Sequence, residues 1–333
     1  MKAMIIKKYG KNSPLIMSEL PTPDVGEHDV LVEVYAASLN PIDFKIKEEK
    51  MKFLLKYKFP LILGNDFSGI VVKVGDRVSA FKPGDEVYGR PRKSRIGTLA
   101  EYIAVHEEDI WLKPRNLNFE EAASIPLVGL TTYQAFTDIL HLQKGQKILI
   151  HAGSGGVGTF AIQLAKLMGA FVATTASDKG YDLVKSLGAD LIINYKNENF
   201  EEKLTGYDAV YDTLGGEALK KSFRILKPSG QIVSISGVPN AKFGKEAKLG
   251  WMKTATLSIV SRKINALEKK NQTRYHFLFM KPSGAQLKIL KEFIEADHIK
   301  PIIDKVYPLK DAGQAFHYLE GGSAKGKVII KIK

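Results

Sequence analysis

The chain of 333 residues carries a formal charge of +13, no cysteine, 44% hydrophobic residues and 26% charged ones. That length suggests about two domains at roughly 150 residues each, and the apolar content is that of ordinary globular cores, which excludes a disordered chain, a collagen-like repeat and a disulfide scaffold. A thiolate zinc site, an iron–sulfur cluster and a nucleophilic cysteine are excluded with the cysteines.

The apolar run within Met1 to Lys8 is too short for a signal peptide, so a cytoplasmic location is expected. Ile148 to Ala165 lacks Asp, Glu, Lys and Arg but holds His151, Gln163 and four glycines, so it is not read as a spanning helix and no membrane partner is expected. The lysines are scattered, as on a solvated basic surface, and 242–281 is the densest basic region. Up to about Val105, short β-branched runs such as Val30 to Tyr35, Ile70 to Val74 and Glu86 to Tyr88 alternate with turn residues, the pattern of a mainly antiparallel β domain. After Ile125, strands beginning near 148, 171, 191, 209 and 232 leave room for a helix between each pair, which calls for a parallel sheet. Helical patterns at Gly284 to Ala296 and Asp311 to Leu319, and a last strand at Lys327 to Ile332, are expected to return to the first domain.

The strand Lys147 to Ile150 runs into Gly153-Ser154-Gly155-Gly156-Val157-Gly158 and then an amphipathic helix. Small residues there let backbone amides approach a pyrophosphate, and the helix dipole meets its charge. The next strand ends at Ser177, 19 residues after Gly158, followed by Asp178 and Lys179. Ser177 with Lys179 suits a 2′-phosphate and favours NADP(H), whereas Asp178 would serve NAD if the turn were shifted by one residue.

The glycine loop, Gly129-Leu130-Thr131-Thr132-Tyr133-Gln134-Ala135, Leu39-Asn40-Pro41-Ile42-Asp43-Phe44 and Asp212-Thr213-Leu214-Gly215-Gly216 resemble the zinc-free quinone oxidoreductase branch of the medium-chain dehydrogenase/reductase superfamily, and within it the NADPH-dependent alkenal/enone reductases. The resemblance implies an α/β chain with a GroES-like, mainly β catalytic domain at 1–124 completed by 266–333. A doubly wound Rossmann domain at 125–265 would bind NADP, with the active site in a cleft between the two and a homodimer as the common assembly. It further implies that Asn40 and Asp43 line the nicotinamide and substrate pocket with Lys45 nearby, and that Thr131 lies near the nicotinamide. Tyr195 would meet the 2′-phosphate, Ser236-Gly237-Val238 the carboxamide, and Phe277, Phe279 and Lys325 would close over the cofactor.

Zinc alcohol dehydrogenases of that superfamily need a cysteine near Asn40 and a His-Glu pair where this chain has Asn65-Asp66, so no metal is expected and the acceptor must already be electrophilic. The expected reaction is hydride transfer from NADPH to the conjugated C=C of an α,β-unsaturated carbonyl or to a quinone. Asn40 and a cofactor hydroxyl would be the polar contacts of the developing oxyanion, and Tyr57 or solvent would supply the proton. The competing reading is a non-catalytic NADPH-binding protein with an RNA-binding or structural role through 242–274, although no RNA-binding motif occurs there and a nucleic-acid partner is not expected.

Overall fold

The computed structural model describes residues 1–333. The chain divides into two compact units, Met1–Leu130 with Lys281–Lys333, and Thr131–Met280. The second unit therefore ends later than the 265 read from the sequence. The reason is a strand beyond the five that the spacing predicts: Arg274–Phe277 pairs in parallel with Leu226–Ser234, from Gln231↔Arg274 to Ser234↔Phe277.

The first unit is mainly antiparallel β. Its seven-stranded sheet runs Ile303–Pro308, Lys327–Lys331, Asp29–Leu39, Asp66–Val74, Glu86–Gly89 and Ile110–Leu112, with Tyr102–His106 also paired to Asp29–Leu39. A three-stranded sheet of Ile16–Glu19, Lys2–Ile6 and Leu61–Ile62 adjoins it. The β-branched residues of the sequence pattern fill the core, which joins Val30, Val32, Val34, Val71 and Val87 to Phe67, Phe81 and Ile110. The chain's last strand lies beside Asp29–Leu39 in the register Val328↔Leu39. Residues at opposite ends of the sequence, Asn40 and Lys327, are thereby neighbours.

The second unit is a six-stranded sheet in the order Leu191–Asn194, Phe171–Ala176, Lys147–Ile150, Tyr207–Asp212, Leu226–Ser234, Arg274–Phe277, with every pair parallel. The expected strands are all present. Chain order reverses between Lys147–Ile150 and its neighbour Tyr207–Asp212, and ligands of such sheets bind beyond the carboxyl ends of the strands at that reversal.

Candidate functional site

The glycine loop lies at the reversal. Its helix, Gly156–Leu167, is capped by Gly155 with φ −80° and ψ 170° and receives no side-chain cap, so its first amides have no side-chain acceptor. The glycines divide into two kinds. A Cβ at Gly153 would stand 2.1 Å from Thr174 Oγ1, and one at Gly158 would stand 2.3 Å from the Ala152 carbonyl, so neither position admits a side chain. At Gly155 a Cβ would meet only the Ala152 carbonyl, at 3.3 Å, so the outer face of the loop is open to an incoming group. Thr174 and Thr175 anchor the loop from the next strand: Thr174 Oγ1 donates to the Ile150 carbonyl at 2.6 Å, and the Ala152 amide donates to Thr175 Oγ1 at 3.0 Å. An open cradle of amides at a twelve-residue helix fits a dinucleotide diphosphate.

Three of the residues read as 2′-phosphate contacts meet at one corner. The strand register Ala176↔Asn194 sets Ser177 and Tyr195 side by side, and the Tyr195 amide donates to the Ala176 carbonyl at 3.3 Å. Ser177 caps the helix Asp178–Ser186 without a side-chain bond, Lys179 is exposed on that helix's first turn, and Tyr195 is 59% exposed. Asp178, the residue that favours NAD, is engaged elsewhere: its Oδ1 accepts from Asn194 Nδ2 at 2.6 Å. Ser154 lies against the same first turn, where a Cβ at Gly180 would come within 2.7 Å of its Oγ.

The turn Ser236-Gly237-Val238 hangs from buried Asp212. That carboxylate accepts the amides of Leu214 and Gly215 and the hydroxyl of Ser234, whose oxygen accepts the Gly237 amide at 2.7 Å. The Tyr275 hydroxyl donates to the Val238 carbonyl at 2.9 Å. The motif that contains Asp212 assigns it no role and Ser234 lies outside every motif, because their pairing across two strands exists only in the sheet. Phe277 shares the register of Ser234 and packs edge-on against Phe243 at 5.0 Å. Phe279 is half-buried just beyond that strand, and Thr131 is buried on the helix Pro126–Tyr133. His151 is a core residue: Ser222 spends its own proton on the Ala218 carbonyl, so His151 Nε2 donates to Ser222 Oγ at 2.8 Å, and burial lowers its pKa to about 4.

In the first unit, Asn40 and Asp43 belong to a buried polar cluster with Ser38, Asn65, Asp66 and Lys327. Asp43 Oδ2 accepts the Asn40 amide and its Oδ1 accepts from Asn65 Nδ2, both at 2.7 Å. Asn40 Nδ2 donates to Asp66 Oδ2 at 2.8 Å and to the Ser38 carbonyl at 3.3 Å, while its Oδ1 accepts from Lys327 Nζ at 2.6 Å. Lys327 also forms an ion pair with Asp66 at 3.3 Å. Both side-chain protons of Asn40 are thus spent inside the chain, which corrects its expected part as a donor to the oxyanion: it positions the cluster.

Burial raises the Asp43 pKa to about 7, against the opposing pull of Asn65, the Asn40 amide and Lys327. Burial likewise holds the Lys327 ammonium below its ordinary value, and Lys45, half-buried on the helix Pro41–Lys47, is lowered by burial and by Lys50. Lys325 is half-buried in the turn leading into Lys327–Lys331. Tyr57 is not poised as an acid, because its hydroxyl donates to the Lys93 carbonyl at 2.7 Å and burial pushes its pKa well up. Arg90, which no motif flagged, is 3% exposed, with Nη1 on the Pro91 carbonyl and Nε without an acceptor.

A Rossmann-type sheet with an open glycine cradle and a GroES-like partner unit define a dinucleotide-dependent oxidoreductase. The families that match are an alcohol dehydrogenase GroES-like domain over residues 26–115 and a zinc-binding dehydrogenase over 187–330. The chain belongs to the medium-chain dehydrogenase/reductase superfamily, with enone reductases and quinone oxidoreductases among its relatives. It is 38% identical to 2-methylene-furan-3-one reductase of Solanum lycopersicum over 99% of this chain and 79% of that protein. It is 35% identical to the chloroplastic NADPH-dependent alkenal/one oxidoreductase of Arabidopsis thaliana over the same shares, 99% and 79%. The quinone oxidoreductase structure from Coxiella burnetii matches at 34% identity and a TM-score of 0.85, covering 100% of this chain and 99% of that one. No group of three or more His, Cys, Asp or Glu side chains is placed to hold a metal ion, and no helix is long and apolar enough to cross a membrane.

Proposed function

We propose that this protein is a zinc-independent NADPH-dependent reductase acting on the conjugated C=C of α,β-unsaturated carbonyls or on quinones. The observation that carries the NADP preference is the corner of Ser177, Lys179 and Tyr195, with the Asp178 carboxylate turned to Asn194. A cation and two hydroxyls suit a phosphate dianion, whereas a free ribose diol wants a carboxylate.

Bound cofactor supplies the hydride. The amides of Gly156 and Val157, which have no acceptor within the chain, hold the diphosphate, while those of Gly153 and Gly155 are spent on the Thr175 and Ala152 carbonyls and shape the loop. The Asp212–Ser234 pair keeps the turn Ser236-Gly237-Val238 shaped for the carboxamide. Asn40, Asp43 and Lys327 keep one wall of the acceptor's pocket rigid through their shared bonds. Solvent supplies the proton, since the Tyr57 hydroxyl is committed to Lys93.

The test is a panel of enals, enones and quinones with NADPH against NADH, with saturated alcohols and NADP as the control. Turnover of conjugated acceptors with NADPH preferred supports the reading. Alcohol oxidation that requires added zinc, or failure to oxidise either coenzyme with any acceptor, rejects it.

A further inference from the structure

The helix Trp251–Val260 turns its apolar side outward. At 3.6 residues per turn, Trp251, Ala255 and Ile259 stack along one stripe with Met252 beside it, while the buried Leu257 faces the other way. Trp251 is 81% exposed, Met252 67%, Ile259 63% and Val260 53%. Lys253 is the one charged residue of this helix. Its surroundings are strongly cationic: 242–274 holds nine Lys and Arg against two Glu, a net of +7 within a chain whose total is +13.

We propose that this helix docks the protein on an anionic phospholipid surface, lying in the plane of the headgroups. Trp251, Met252, Ile259 and Val260 enter the acyl boundary, and the lysines and arginines of the flanking helices Ala241–Glu246 and Arg262–Lys270 meet lipid phosphates. An apolar stripe headed by a tryptophan needs cover other than water, and an indole favours the membrane interface. A second copy of this chain would bring +7 against +7, so charge opposes self-association through this face. A nucleic acid would satisfy the cations but leave the apolar stripe wet. The expectation of no membrane partner rests on the absence of a spanning segment; a helix that lies on a bilayer needs an apolar face, not an apolar length. The inference is independent of the acceptor reduced.

The test uses the full-length protein and vesicles of phosphatidylcholine alone or mixed with phosphatidylglycerol. Expected is binding to the mixed vesicles about tenfold or more above the neutral ones, weakening as salt rises. In a Trp111→Phe background, the emission of Trp251 shifts to the blue on binding. The double variant Trp251→Ala, Ile259→Glu loses about tenfold or more of the partitioning with an unchanged thermal midpoint and unchanged NADPH affinity. The proposal is overturned if neither vesicle binds, or if the double variant binds as the parent does. It is equally overturned if Ile259→Glu splits a dimer, which assigns the face to a second copy, or if RNA binds through Trp251 while vesicles do not.

Discussion

Asp43 shows how one buried carboxyl links the cluster to pH. In an unfolded chain it titrates near ~3.9, and in the folded protein burial raises it to about 7. Between these values the folded state holds a proton that the unfolded state has released. Its contribution to stability is therefore full below the lower value, falls as pH rises through the window, and is flat above about 7. Asp43→Asn removes this titration, so urea melts at pH 4 and pH 8 should show the variant gaining on the parent by on the order of a few kcal/mol as pH rises. A difference independent of pH would show that the carboxyl titrates normally. Lys327→Met leaves Asp66 without its cation and Asn40 Oδ1 without its donor, and should cost about 3–5 kcal/mol in the same melts. Lys179→Ala should raise the KM for NADPH about tenfold while leaving that for NADH within about twofold. An equal rise in both would remove Lys179 from the 2′-phosphate.

At the scale of an element, the glycine loop separates folding from binding. Gly158→Ala puts a methyl 2.3 Å from the Ala152 carbonyl and 2.6 Å from Gly153 Cα, contacts between backbone atoms that no rotamer relieves. It should lower the thermal midpoint and abolish NADPH retention together. Gly155→Ala meets a single atom at 3.3 Å, so the fold should hold while a methyl stands on the open face. Its midpoint should stay within a few degrees of the parent's, with NADPH affinity in calorimetry falling about tenfold or more. Loss of stability without loss of affinity at Gly155 would contradict an open phosphate-binding face. The loop itself was legible because glycine spacing after a strand is a local pattern; the threonines that anchor it were not, since their partners lie on the neighbouring strand.

At the scale of the whole molecule, the chain's end is structural. Lys327–Lys331 pairs with Ile303–Pro308 on one side and with Asp29–Leu39 on the other, so it is an interior strand of the first unit's sheet. A chain stopped before Lys327 loses that strand and the cation of the buried cluster. Circular dichroism should then show lost β signal, and proteolysis should cut within Met1–Leu130 before Thr131–Met280, whose sheet is drawn from one continuous segment. Equal resistance of both units would show that the first is held together without its last strand.

The sequence by itself determined the class of the chain, the parallel sheet, the glycine cradle and the Ser177–Lys179 pair. The cradle and the pair are each encoded in a short local stretch, the sheet in the repeated spacing of strands, and the class in motifs spread along the chain. Tertiary structure alone decided that Asn40 spends its donors on Asp66 and Ser38, that Lys327 reaches back to it, and that Asp178 turns to Asn194. It alone decided that Arg90 keeps a buried N–H open and that Trp251 faces outward. The physical reason is common to all of these. A side chain's partners and its access to water are set by strand register and helix rotation, which depend on residues far away in the chain, whereas a local pattern determines only which element forms.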